Sequence, residues 1–183
     1  MRILLLLIFL LSSSTNISAQ YSNPNVQWSY STKKIAPDQF DLVVTAKVGA
    51  GYHLYSQFIV IPEGGTGPIS TSFAFIKSKN YSLVGKVKES GNRKEAVEPL
   101  FDDITLIWFE EEAIFTQRVK LKAPDVTVKG VVSFMTCNDR SCDPPSDQEF
   151  EFKLTGTPVI DTVKALSPDP VESLQTASSS TDS

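Results

Sequence analysis

Phe40-Asp-Leu-Val-Val-Thr-Ala-Lys-Val48 carries an apolar residue at every second position over nine residues. A period of two marks a β-strand with one face buried and the other in water. The same period returns on both sides of this stretch. Upstream, Val26, Trp28 and Tyr30 alternate with polar residues and are separated from it by the turn Ala36-Pro37-Asp38. Downstream, Val126, Val128, Gly130, Val132 and Phe134 alternate, and so do Phe150, Phe152 and Leu154. Between these blocks, Tyr52 to Ile61 is rich in aromatic and β-branched residues and predicts another strand, which the Gly- and Pro-rich run from Pro62 to Pro68 ends. Shorter strands are expected at Ser72 to Ile76 and Tyr81 to Val87. Thr105 to Phe109 and Ala113 to Lys122 predict a hairpin with Glu110-Glu-Glu112 at its turn. Three adjacent carboxylates cannot converge on one ion, so that triplet reads as a solvated turn. Helical spacing is scarcely seen. Eight or nine short strands separated by turns predict an all-β chain, an immunoglobulin-like antiparallel β-sandwich, with an up-and-down barrel as the alternative.

The chain of 183 residues is 41% hydrophobic and 21% charged, with a formal net charge of −4. This composition suits one globular domain with flexible ends. A small negative charge without a dense Lys/Arg run gives no electrostatic footprint for nucleic acid. Arg2, the apolar run Ile3 to Leu11 and the small polar stretch ending at Ala19 read as an export signal. The run is too short to span a bilayer stably. The expected division is therefore a signal peptide over 1–19, one domain over 20–155 and a flexible tail or linker over 156–183. Export places the domain in an oxidising compartment, expected to be the periplasm, where a disulfide can form.

Only two cysteines are present, Cys137 and Cys142, between an alternating run and Pro144-Pro145. A disulfide between them would contribute roughly 2 kcal/mol on the loop-entropy model, against more than about 4 for a bridge spanning some sixty residues. That favours a redox or conformational role over a staple, but only modestly. Arg140 would favour a thiolate while Asp139 and Asp143 would oppose one, so the residues alone leave a structural staple and a redox couple equally open. Two thiolates with His53 or Met135 could also hold a soft metal, a third reading. His53 is the single histidine, which excludes multi-His metal sites within one chain. No cofactor motif is present, so the domain is expected to use no cofactor and to generate no reducing power itself.

The segment Val132-Ser-Phe-Met-Thr-Cys137-Asn-Asp-Arg-Ser-Cys142-Asp-Pro-Pro145 resembles the active-site hairpin of the N-terminal periplasmic domain of the thiol:disulfide interchange protein DsbD. Gly51-Tyr-His-Leu-Tyr55 resembles that family's aromatic strand, and Phe109 to Leu121 resembles its strand pair ahead of the hairpin. The resemblance implies an immunoglobulin-like domain that carries electrons by reversible thiol-disulfide exchange. It implies that Cys142 forms mixed disulfides with partners and that Cys137 resolves them. It also places His53 and Tyr55 beside the sulfurs. The implied partners are thioredoxin-like Cys-x-x-Cys proteins as donor and acceptor, with a membrane electron transporter possible in trans. The family has a cap loop with an aromatic tip. The polar interval Glu89 to Asp103 lies in the corresponding place, with Phe101 as candidate tip, although it is longer and does not align residue by residue. The family's proteins continue into membrane and thioredoxin-like domains absent from this sequence, so a standalone relative or a fragment is expected. A non-catalytic immunoglobulin-like binding module with a structural disulfide is the alternative.

Overall fold

The computed structural model describes residues 23–98, 101 and 103–158. The expected signal peptide and nearly all of the expected tail lie outside the described residues. Nine strands follow in order: β1 Val26–Ala36, β2 Gln39–Val48, β3 His53–Tyr55, β4 Ser72–Phe75, β5 Tyr81–Glu98, β6 Ile104–Leu121, β7 Asp125–Phe134, β8 Thr136–Cys137 and β9 Ser146–Thr155. They form a six-stranded sheet in the order β1-β2-β6-β3-β8, with β5 pairing β6, and a three-stranded sheet in the order β4-β7-β9. All the pairings are antiparallel. The protein is an all-β antiparallel sandwich of immunoglobulin-like type.

The alternating runs supply the facing surfaces. Phe40, Leu42, Val44, Ala46 and Val48 of β2 are all buried. So are Ala113, Phe115, Val119 and Leu121 of β6, which faces β2 in register, with Val44 opposite Phe115. From the other sheet, Val126, Val128, Val132 and Phe134 of β7 and Phe150, Phe152 and Leu154 of β9 close the core. Burying each Val, Leu or Phe side chain among them stabilises the fold by about 1.5–3 kcal/mol. Aromatic rings lock the layers together: Trp28 meets Phe134 edge-on at 5.0 Å between centroids, and Phe73 meets Phe115 at the same separation. Gly130 lies where a Cβ would run into both the Ala74 carbonyl and the Phe150 ring. A side chain there would push β4 and β9 away from β7.

Four expectations need correction, and each has a local cause. The strand expected from Tyr52 to Ile61 is only His53–Tyr55. Ser56 still donates its N–H to the Ile107 carbonyl, but its hydroxyl accepts the Phe58 N–H and turns the chain out of the sheet. Phe58 and Val60 are left exposed. The hairpin expected over Thr105 to Lys122 is instead the single strand β6, so the resembling segment Phe109 to Leu121 is not a strand pair. Between Gly91 and Asn92, one step along β5 is matched by three along β6, making Glu110-Glu-Glu112 a bulge. Glu111 takes φ 62° and Gly91 φ 138° to form it. The short strand expected at Tyr81 to Val87 extends to Glu98. Glu89 to Asp103 is thus no long loop, because all but its last few residues pair with β6. Beyond Ile107 the β5-β6 pair continues as a two-stranded ribbon, with Phe101 in the connection at its tip.

Candidate functional site

β7 and β9 are neighbours, and the cysteine segment connects them. It does so by changing sheets. After Met135 the chain crosses from the three-stranded sheet to the six-stranded one, where Thr136 pairs with Leu54 and Cys137 with His53. Leu54 belongs to the core between the sheets, so alternation puts its neighbours His53 and Tyr55, and Cys137 with them, on the opposite face. There a second apolar cluster forms from Tyr55, Ile59, Leu106 and Cys137, flanked by Phe101, Ile104, Ile107, Trp108 and Met135.

Cys137 and Cys142 are joined in a disulfide, with Cα atoms 3.9 Å apart. The two partners differ sharply in access: Cys137 is 2% exposed, whereas Cys142 is exposed. The loop between them is also closed without the bond. Asp143 N–H donates to the Thr136 carbonyl at 2.8 Å and Asn138 N–H to the Ser141 carbonyl at 2.9 Å. The Asn138 side-chain oxygen accepts the N–H groups of Arg140 and Ser141, an Asx arrangement that fixes the turn.

Asp143 anchors the outgoing end. Its Oδ2 accepts hydrogen bonds from Thr136 Oγ1 at 2.7 Å, Asn25 Nδ2 at 2.8 Å and Asn23 Nδ2 at 3.3 Å. Burial on its own would raise this carboxyl, but the bonds from Asn25, Thr136 and Asn23 outweigh it and hold the group below the ordinary carboxylate value. Asp143 is thereby committed to the anchor, whereas Asp139 and Arg140 line the cavity over the disulfide.

That cavity encloses about 410 Å³ and brings His53, Tyr55 and Phe101 together with both cysteines. His53 Nε2 and Tyr55 Oη lie 3.0 Å apart, with the rings edge to face. The imidazole also lies 5.7 Å from the Trp108 ring. Burial lowers the His53 pKa, against the opposing pull of Glu110 and Asp139. Burial, with Glu98 nearby, pushes Tyr55 up to about 12, so its hydroxyl stays protonated at neutral pH. Among the described residues, no group of three or more His, Cys, Asp and Glu side chains is gathered as a metal site.

Sequence reasoning did not single out Leu106 and Trp108, which wall the cavity from β6, or the anchor residues Asn23 and Asn25. The first pair carried a signal: they sit two apart in a strand, on one face. The asparagines precede the first strand, and nothing local to them marks a partner more than a hundred residues away.

No protein-family model matches the chain, and no curated protein matches it. Solved structures do. The reduced N-terminal domain of DsbD from Neisseria meningitidis matches with a TM-score of 0.46 and 19% identity, over 70% of this chain and 86% of that one. The N-terminal periplasmic domain of ScsB from Proteus mirabilis matches with a TM-score of 0.49 and 14% identity, over 73% of this chain and 47% of that one, so this chain spans about half its length. The GAE domain of GGA2p from Saccharomyces cerevisiae matches with a TM-score of 0.40 and 10% identity, over 75% and 94%.

Proposed function

We propose that the domain is a periplasmic thiol-disulfide exchange module. It relays electrons from a thioredoxin-like Cys-x-x-Cys reductant, which a membrane electron transporter in trans could serve, to oxidised thioredoxin-fold acceptors of the disulfide isomerase or cytochrome c maturation type. The observation that carries this reading is the unequal access of one disulfide's two ends: Cys142 exposed, Cys137 2% exposed, both on the wall of one cavity. An incoming thiolate reaches the Cys142 sulfur, forms a bond to it and expels Cys137 as the leaving thiolate. A second partner thiol then displaces Cys142, and the partner departs as a disulfide, leaving the domain as a dithiol. The acceptor half runs the other way. Cys142 attacks the acceptor's disulfide, and Cys137 displaces the acceptor from Cys142 with re-formation of the Cys137–Cys142 bond. His53, Tyr55 and Phe101 line the site, and Phe101 at the ribbon tip shields the sulfurs from indiscriminate thiols.

The competing staple reading gains little from the structure. The bridge ties a loop that backbone and Asn138 hydrogen bonds already close, so a covalent tie adds little order there. The test is equilibration with a thioredoxin-like dithiol, combined with trapping. Wild type is expected to be reduced by the dithiol; mixed with the disulfide form of the same protein, Cys137→Ser is expected to accumulate a mixed disulfide through Cys142, while Cys142→Ser accumulates none. A bridge that resists such reductants, and whose loss only lowers stability, would establish the binding-module reading instead.

A further inference from the structure

We propose that His53 is the general base for the buried Cys137, taking its proton when Cys137 resolves a mixed disulfide on Cys142. This rests on the exchange reading above and adds a proton path to it. A thiol must ionise before it attacks, and apolar surroundings disfavour the charged form. Cys137 lies at 2% exposure among Tyr55, Ile59 and Leu106, so the resolving step needs a base that reaches it from inside the cavity.

The register supplies one. His53 is directly opposite Cys137 in the β3-β8 pair, and opposed residues on antiparallel strands project from the same face with Cβ atoms about 4.5–5.5 Å apart. Both line the same cavity. Nε2 of His53 is engaged by Tyr55 Oη at 3.0 Å, which leaves Nδ1 as the ring nitrogen free to exchange a proton with Cys137. In the tautomer that can act as base, Nε2–H donates to Tyr55 Oη and Nδ1 carries the lone pair.

Nδ1 takes the proton from Cys137 Sγ, and the sulfur's electron pair forms the bond to Cys142 Sγ. The bond from Cys142 to the partner sulfur breaks, and the partner leaves as a thiolate. The imidazolium then returns its proton to that thiolate or to water. Tyr55 from β3, Glu98 from β5, Trp108 and Glu110 from β6, and Asp139 and Arg140 from the turn line the same cavity as the ring. Glu110 and Asp139 stabilise the imidazolium while it lasts, and burial keeps the resting imidazole neutral.

The reduced domain is mixed with dithiobisnitrobenzoate, which releases a coloured thiolate at each exchange. The first release reports attack by Cys142, and the second reports displacement by Cys137. His53→Gln is expected to leave the first phase within about twofold and slow the second by about 100-fold at neutral pH, the scale of general-base assistance. The gap should close as the pH rises into the range where the thiol ionises unaided. Tyr55→Phe, which keeps the ring and removes the hydroxyl, is expected to slow the second phase by a smaller factor and serves as a second variant. A second phase unchanged in both variants overturns the proposal. So does a slowing by the same factor at every pH, which is what a merely structural role would give. A wild-type domain that releases no first-phase colour would instead overturn the exchange reading beneath it.

Discussion

Replacing Asp143 by alanine removes the acceptor of three side-chain hydrogen bonds, and the cost depends on what each donor does next. Asn25 is only half-buried and regains water, while Asn23 keeps its bond to Thr136 Oγ1 at 2.8 Å. The Thr136 hydroxyl has no such recourse, because Thr136 is 0% exposed and its proton loses its acceptor. One buried polar group left unsatisfied costs about 1–3 kcal/mol, which puts the expected loss near 2 kcal/mol at pH 7, measured by urea unfolding. The dependence on pH follows from the depressed carboxyl. Its contribution is fully present above the ordinary unfolded value of about 4 and is lost as the pH falls through the lower folded value. The difference between wild type and Asp143→Ala should therefore hold from neutral pH down to about 4 and shrink below it. An equal difference at pH 7 and in strong acid, or none at pH 7, would refute the anchor as described.

Reducing the disulfide should lower the unfolding free energy by no more than about 2 kcal/mol, the scale of a very short loop. A larger loss in a reduced-against-oxidised urea titration would argue for a structural bridge. Phe101→Ala should speed reaction with glutathione by about tenfold, equivalent to about 1.4 kcal/mol of lost shielding; an unchanged rate in stopped-flow would remove Phe101 as the shield. Gly91→Ala should destabilise by about 2 kcal/mol, because φ 138° is strained for alanine and its Cβ would meet the Glu112 carbonyl. Calorimetry showing no loss would mean that the bulge relaxes freely.

What could be read in the sequence depended on whether a strand had two different faces. β2, β7 and β9 each press one side against the core, so Phe40 to Val48, Val126 to Phe134 and Phe150 to Leu154 alternate openly. The outer half of β5 has no such asymmetry. From Asn92 to Glu98 it pairs with β6, both its faces are largely exposed, and its polar residues imitate a loop. β6 concealed its continuity differently: the two extra bulge residues break the period of two at Glu110-Glu-Glu112, where acidic side chains also imitate a turn. At the site, the cysteines, His53 and Tyr55 stood out through residue type and the resemblance. The opposition of His53 to Cys137 did not, because it depends on β8 changing sheets at Met135.

The two apolar clusters share no residue: Cys137 packs with Tyr55, Ile59 and Leu106, and Leu42, Phe115 and Phe134 pack between the sheets. Substitutions in separate clusters with no shared partners have nearly additive effects. Reactivity and durability can accordingly drift apart in descendants of such a chain. Selection on the company it keeps would rewrite the outer face, while the frame beneath ages at its own pace.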